Sequence, residues 1–184
     1  MNLALAATAR ATSTEAIDFD ALYDATADLA FRVLSAMGVR EAELDDALQD
    51  VFVVAHRRLG EFRGESKHST WVAGIAVRVA HDYRRRHRRK PTEPIEPLAA
   101  SLQAPAEWPD ASAMRSQALR SVQAFLEELA APQREVFVLA ELEQQSAPEI
   151  AATLGAPLNT IYSRLRLARA HFEAWVRETD RGER

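Results

Sequence analysis

The chain has 184 residues, a formal net charge of −4, 47% hydrophobic and 27% charged residues, and no cysteine. That composition fits one soluble globular domain or two small ones, and the missing cysteine excludes disulfides and thiolate metal sites while being compatible with a reducing compartment. No apolar run approaches the roughly 20 residues that span a membrane, no strand-like alternation persists and glycine is scarce, so an all-α fold is expected.

Residues 1–16 are rich in Ala and Thr and have no basic stretch ahead of their short apolar run. They are expected to be disordered and not a signal peptide. Asp18 can cap a first helix, on which Phe19, Leu22, Tyr23, Thr26, Ala30, Val33, Leu34 and Met37 recur at helical spacing until Gly38 ends the run. A second helix is expected roughly from Glu43 to Leu59, with Leu44, Leu48, Val51, Phe52, Ala55 and Leu59 as its core stripe. Asp46, Gln49, Asp50 and Val53 share the other side. Two readings of that side stand: a solvated acidic face, which charge on a helix usually is, or a docking surface for a basic partner helix. Asp45 and Asp46 near the helix start also suit its dipole.

Phe62 to Thr70 reads as a loop in which Gly64 breaks the periodicity, with Ser66 or Ser69 able to cap a third helix from about Thr70. Trp71, Val72, Ile75, Ala76, Val79 and Tyr83 form the inner face of that helix. Its far end carries Arg78, Arg84, Arg85, Arg86, Arg88, Arg89 and Lys90 against Asp82 alone. The negative total therefore conceals separate acidic and basic faces, which suggests partners of opposite charge. A solubilising or nuclear-localisation run is one reading of the cations. A basic helix that also has a packed apolar face better suits nucleic-acid phosphates.

Residues 91–111 hold Pro91, Pro94, Pro97, Pro105 and Pro109 with Glu93, Glu96, Glu107 and Asp110. This acidic, proline-rich stretch is expected to be an extended spacer between two small helical domains, residues 17–90 and 112–177. In the second, Met114, Ala118, Leu119, Val122, Phe125, Leu126 and Leu129 mark one amphipathic helix. Pro132 opens the next, with Val136, Phe137, Leu139 and Ala140 apolar. Ile150, Ala151 and Leu154 then form the edge of a short helix that Gly155 stops. Pro157 opens a further helix whose Ile161, Leu165 and Ala168 share a buried face, extended by Phe172 and Trp175. Asn159, Tyr162, Ser163 and Arg166 lie on another face, flanked by Arg164 and Arg169, and their side chains suit base edges and phosphates. Two helices, a tight turn and a polar stripe on the second make a helix-turn-helix with a recognition helix, winged-helix-like but wingless. An ordinary helical hairpin with an arginine-rich solvent face is the plainer reading. Residues 178–184 are a polar tail. His56, His68, His81, His87 and His171 lack ligand spacing and read as surface or phosphate-near residues; no metal or cofactor is expected.

With both halves laid out, the chain resembles the extracytoplasmic-function (ECF) group of bacterial RNA polymerase sigma factors over about residues 18–176. Asp45 to Phe62 (DDALQDVFVVAHRRLGEF) is similar to the group's polymerase-docking helix. Phe62 to Arg86 (FRGESKHSTWVAGIAVRVAHDYRRR) looks like its −10-element loop and melting helix. Pro132 to Arg169 looks like its −35-binding domain. The resemblance implies that Asp46, Gln49, Asp50 and Val53 dock on core RNA polymerase, and that Phe62, Arg63, Ser66, Lys67, His68 and Trp71 capture a flipped base of the −10 element. It implies further that Arg78, Arg84, Arg85 and Arg88 hold phosphates as the strands part, and that Asn159, Thr160, Tyr162, Ser163, Arg164, Arg166 and Arg169 read the −35 element of promoter DNA. It also implies a cytoplasmic, stress-responsive transcription initiation factor, monomeric when free, not an enzyme, and controlled by a separate anti-sigma protein. His68 stands where the group usually has Phe or Leu, Arg78 where Asn is common, and Leu167 where a basic residue is frequent; these departures bear on the promoter sequence. The competing readings are a stand-alone helix-turn-helix regulator whose first half is a dimerisation or effector domain, and an enzyme fused to a DNA-binding domain. The latter lacks a nucleophile–base pair, a metal cluster and a phosphate loop.

Overall fold

The computed structural model describes residues 18–64, 66–89 and 120–182. The expectations for residues 1–16, for the spacer 91–111 and for Met114, Ala118 and Leu119 lie outside these residues. Every regular element among the described residues is helical.

Helix α1, Phe19–Ala36, begins where the Asp18 carboxylate accepts the Asp20 N–H at 3.3 Å, and ends ahead of Gly38, whose φ of +81° is the left-handed value glycine adopts without strain. Its buried stripe is Leu22, Thr26, Ala30, Val33 and Leu34. Thr26 is tolerated there because its hydroxyl donates to the Leu22 carbonyl at 2.7 Å. Tyr23, expected inside, is 42% exposed: it lies one residue beyond Leu22 and leans over α2. Helix α2, Glu41–Arg58, carries Glu41 and Glu43 in its first turn and His56, Arg57 and Arg58 in its last, which match the helix dipole at both ends. A 3₁₀ turn, Leu59–Glu61, follows.

Helix α3, His68–Arg89, starts ahead of the expected Thr70. The Trp71 N–H bonds the Lys67 carbonyl at 3.0 Å, so the first turn closes on Lys67, and Ser69 lies inside the helix where it cannot cap it. The expected inner face of α3 is buried apart from half-buried Trp71, but so is every residue from Val72 to Val77. Helices α1 and α2 cover one side, and an element of the second half covers the other.

In that half, α4 (helical residues 120–128) sends Phe125 and Leu126 inward. Helix α5, Ala131–Phe137, has Pro132 in its first turn and passes directly into a π-helical turn, Val138–Leu142. Helix α6, Ala147–Leu154, opens with a capping box: the Ser146 hydroxyl accepts the Glu149 N–H, and the Glu149 carboxylate accepts the Ser146 N–H at 2.8 Å. Gly155, at φ +62°, ends it. Helix α7, Leu158–Gly182, buries Ile161, Leu165 and Ala168 as expected and runs on through residues 178–182, so most of the expected tail is helical. Pro157 stands one residue ahead of its first helical residue. Phe125 is fully buried, with the rings of Phe137, Phe172 and Trp175 within 5.6 Å of its own, centroid to centroid. Aromatic burial of this kind contributes roughly 1.5–3 kcal/mol per ring.

The two halves touch. Gly74 of α3 lies against Thr153 of α6, His81 pairs with Glu135 of α5 at 2.9 Å, and Arg32 of α1 pairs with Glu143, just after the π turn, at 2.9 Å. Arg134 is 3% exposed. Its guanidinium donates to the Glu127 carbonyl at 3.0 Å within its own half and to the Met37 carbonyl of the first half at 3.4 Å. The apolar core is continuous across this seam.

Candidate nucleic-acid interface

The second half presents one polar stripe to solvent. On α7, Asn159, Tyr162, Ser163 and Arg166 are all exposed, with Tyr162 at 54%, while Thr160 and Arg164 are half-buried. The buried Ile161, Leu165 and Ala168 fix the rotation of the helix and so aim that stripe outward. Ser163 donates its hydroxyl to the Thr160 carbonyl at 3.0 Å, which leaves its oxygen lone pairs outward. Arg169 is not open in the same way: its guanidinium grips Glu141 of the π turn at 2.8 Å. It fastens α7 to the rest of its domain and would have to leave Glu141 to reach a phosphate. Leu167 is 47% exposed beside the stripe.

The loop between α2 and α3 forms a cleft of about 310 Å³ lined by Glu61, Phe62, Arg63, Ser66 and Trp71. Its floor is aromatic, with the Phe62 ring 5.2 Å from Trp71 and 4.9 Å from His68. Four of the expected loop residues are thus brought together, His68 is exposed against the Phe62 ring, and Lys67 is exposed beside them. Glu61 was not expected. An aromatic wall with a nearby arginine and hydroxyl is a surface on which an unstacked base can sit.

The basic end of α3 divides. Arg85 and Arg88 are exposed, although Arg85 shares its charge with Asp82 at 2.9 Å. Arg78 is exposed but donates to the Thr153 carbonyl across the seam at 3.4 Å. Arg84 turns inward, half-buried, toward Gly38 and Arg134. Burial, with Arg84 nearby, lowers the Arg134 pKa from its ordinary value.

On α2, Asp46, Gln49 and Val53 are exposed together. Asp50 is half-buried and accepts the Tyr83 hydroxyl at 2.9 Å. Burial first, and this hydrogen bond second, push the Tyr83 phenol up to about 12. Beside the acidic patch, α1 and α2 enclose an apolar groove of about 540 Å³ lined by Phe19, Tyr23, Asp45, Leu48, Gln49, Phe52, Val53, His56 and Arg57. Reasoning from residue pattern missed Tyr23 and Phe19 as part of this surface because their helical register assigned them to the core. No group of His, Asp or Glu able to hold a metal occurs among the described residues, and none of their helices is long and apolar enough to cross a membrane.

Two family models match the chain: sigma-70 region 2 over residues 22–90 and sigma-70 region 4 over residues 119–172. The chain is 32% identical over 128 residues to the ECF RNA polymerase sigma factor SigM of Mycobacterium tuberculosis, covering 70% of this chain and 61% of SigM. It is 30% identical over 142 residues to the ECF RNA polymerase sigma-E factor of Escherichia coli K12, covering 71% of this chain and 72% of that protein. In fold it is similar to CnrH, solved in complex with the cytosolic domain of CnrY (TM-score 0.64, 24% identity, 87% of this chain and 88% of that one). It is also similar to the sigma factor RpoE from Bartonella quintana, solved with the anti-sigma factor NepR (TM-score 0.69, 21% identity, 87% and 97%).

Proposed function

The chain belongs to the ECF group of RNA polymerase sigma factors, and on that premise we propose that it carries core polymerase to promoters that have both a −35 and a −10 element. The observation that carries this reading is the presence on one chain of two unlike surfaces: a helix with an outward polar stripe, suited to duplex, and an aromatic cleft, suited to a base out of its stack. A stand-alone helix-turn-helix regulator has no use for the second.

On this reading the surfaces divide the labour. Asn159, Tyr162, Ser163 and Arg166 enter the major groove, where an arginine pairs with guanine O6 and N7. Phe62 and Trp71 stack on a base of the −10 element, offsetting the few kcal/mol that unstacking costs. Arg85 and Arg88 draw the released strand by its phosphates. Asp46, Gln49 and Val53, with the groove under Tyr23, take core polymerase: the carboxylate meets a basic residue of the partner and the groove an apolar one. Asp50 contributes mainly by holding Tyr83, which keeps α3 registered on α2. The chain itself makes and breaks no bond; the polymerase does the chemistry in the cytoplasm. A separate regulatory protein is the natural control, as with the RpoE–NepR pair.

The test is in vitro transcription with core polymerase on a library of promoter fragments, with sequencing of transcript starts. The expected result is a set of starts downstream of one two-part sequence, lost with Asp46→Arg combined with Gln49→Arg. Starts unaffected by adding the protein would reject the proposal.

A further inference from the structure

We propose that Arg84 and Arg134 form a binding site for a phosphate group, either the free ion or one carried on a small molecule, where the turn after α1 meets α3 and α5. The proposal goes beyond the proposed function and stands without it.

Arg32, Arg40, Arg58, Arg85 and Arg169 each lie within 3.4 Å of a carboxylate. At such exposed positions the pairing is worth little, because water screens it. The buried arginine has no such partner. Arg134 is 3% exposed, and among the described residues no carboxylate lies within 4.0 Å of it. Its acceptors are the Met37 and Glu127 carbonyls at the ends of α1 and α4, whose partial negative charge offsets part of the cation. They leave the Arg134 Nε–H buried without an acceptor. A charged donor buried in that way is costly unless a partner joins it.

Arg84 brings a second guanidinium to the same place. A Cβ built on Gly38 would lie 2.9 Å from Arg134 Nη1 and 4.0 Å from Arg84 Nε, so both nitrogens fall within 4.0 Å of one point. Arg84 is half-buried and, among the described residues, forms neither a hydrogen bond nor an ion pair. The Glu127 carboxylate acts on Arg134 only from a distance. Two like charges set side by side repel, and an anion between them turns that repulsion into attraction. Guanidinium forks match the oxygens of a phosphate group in spacing and charge. The way in passes Gly38, which is exposed and has no side chain to cover the two cations; its φ of +81° disfavours any residue that would. Arg134 lies too deep for the surface of a duplex to reach, so the ligand has to be small.

Arg84 is the residue to change, because it holds no other group and its loss removes a like charge beside Arg134. The experiment compares the Tm of the full chain with that of Arg84→Gln, in sodium chloride and in sodium phosphate at equal ionic strength. In chloride the variant should melt at or above the wild-type temperature. Phosphate stabilises folded proteins generally, so the difference between the two chains is the readout. At about ten times the dissociation constant the wild type should gain about 3–6 °C more than Arg84→Gln, and the excess should saturate. Arg181→Gln, which removes an exposed arginine at the end of α7, should gain as much as wild type. Equal gains in wild type and Arg84→Gln overturn the proposal. So does an Arg84→Gln chain that melts well below wild type in chloride, since Arg84 would then be a structural group. A second measurement is independent of melting: the side-chain Nε–H resonances of Arg84 and Arg134 should shift together as inorganic phosphate is added, and resonances that stay in place overturn the proposal. Repeating the titration with adenosine triphosphate separates the two sources. Tighter binding than inorganic phosphate assigns the site to a phosphorylated small molecule, and weaker binding assigns it to the free ion.

Discussion

Glu43 draws two partners to one carboxylate. The Arg40 guanidinium contacts both of its oxygens, at 2.9 and 3.2 Å, and the His87 ring nitrogen stands 2.7 Å away. Arg40 first, and His87 after it, hold Glu43 below its ordinary 4.5, and the His87 contact ties the end of α3 to the start of α2. The sign follows: a carboxyl whose pKa is depressed by folding contributes stability that is present above its ordinary value and is lost as pH falls through the depressed one. Glu43→Gln should therefore lower Tm at pH 7 and lower it by less at pH 3, below the ordinary value. For a partly exposed cluster worth about 0.5–1 kcal/mol after screening, the expected drop is about 1–4 °C in a chain of this size. Equal drops at both pH values would remove Glu43 from the account. Other single residues were beyond sequence reasoning for a related cause. Nothing local marks Arg134 as buried, because its partners are carbonyls of residues 37 and 127. Asp50 looked like its neighbour Asp46 until Tyr83, 33 residues away, was folded onto it.

Whole elements were legible where their causes are local. The helix-turn-helix was readable because Gly155, Pro157 and the spacing of Ile161, Leu165 and Ala168 each act within a few residues. The capping box at Ser146 and Glu149 had the same kind of signal, Ser-x-x-Glu before an apolar run, and could have been found. Helix α3 was half legible. Its stripe toward α1 and α2 has the helical period, but the burial of Gly74 against α6, about eighty residues later, leaves no period. The π turn at Val138–Leu142 left no readable mark at all. At this scale the exposed stripe of α7 makes a prediction. Arg166→Ala should weaken binding to the −35 element by about 1–3 kcal/mol if its guanidinium reads a base, with little change on scrambled duplex. Measured by fluorescence anisotropy on both duplexes at one salt concentration, an equal loss on each would assign Arg166 to phosphate and move base reading to Asn159 and Tyr162.

At the scale of the molecule, the length of the connection between the halves sets what they can do together. In this structure that connection has little distance to cover. Arg84 and Arg134 both approach Gly38, Arg134 is bonded to the Glu127 carbonyl, and residues 89 and 120 lie five and seven residues from Arg84 and Glu127. The gap is no more than about 40 Å at helical rise plus side-chain reach. Twelve residues, extending to about 40 Å, would bridge it. They would not bridge two promoter elements about 85 Å apart, even after about 25 Å is allowed for the width of the modules themselves. Replacing residues 91–111 by three Gly/Ser residues, which leaves twelve residues between 89 and 120, should therefore leave Tm and core-polymerase binding near wild type. Transcription should fail from promoters that need both elements, yet the −35 duplex should still bind through α7. A shortened chain that transcribes as well as the full one would mean that the halves need not separate on promoter DNA. A chain that fails to bind core polymerase as well would mean that the spacer itself belongs to the docking surface.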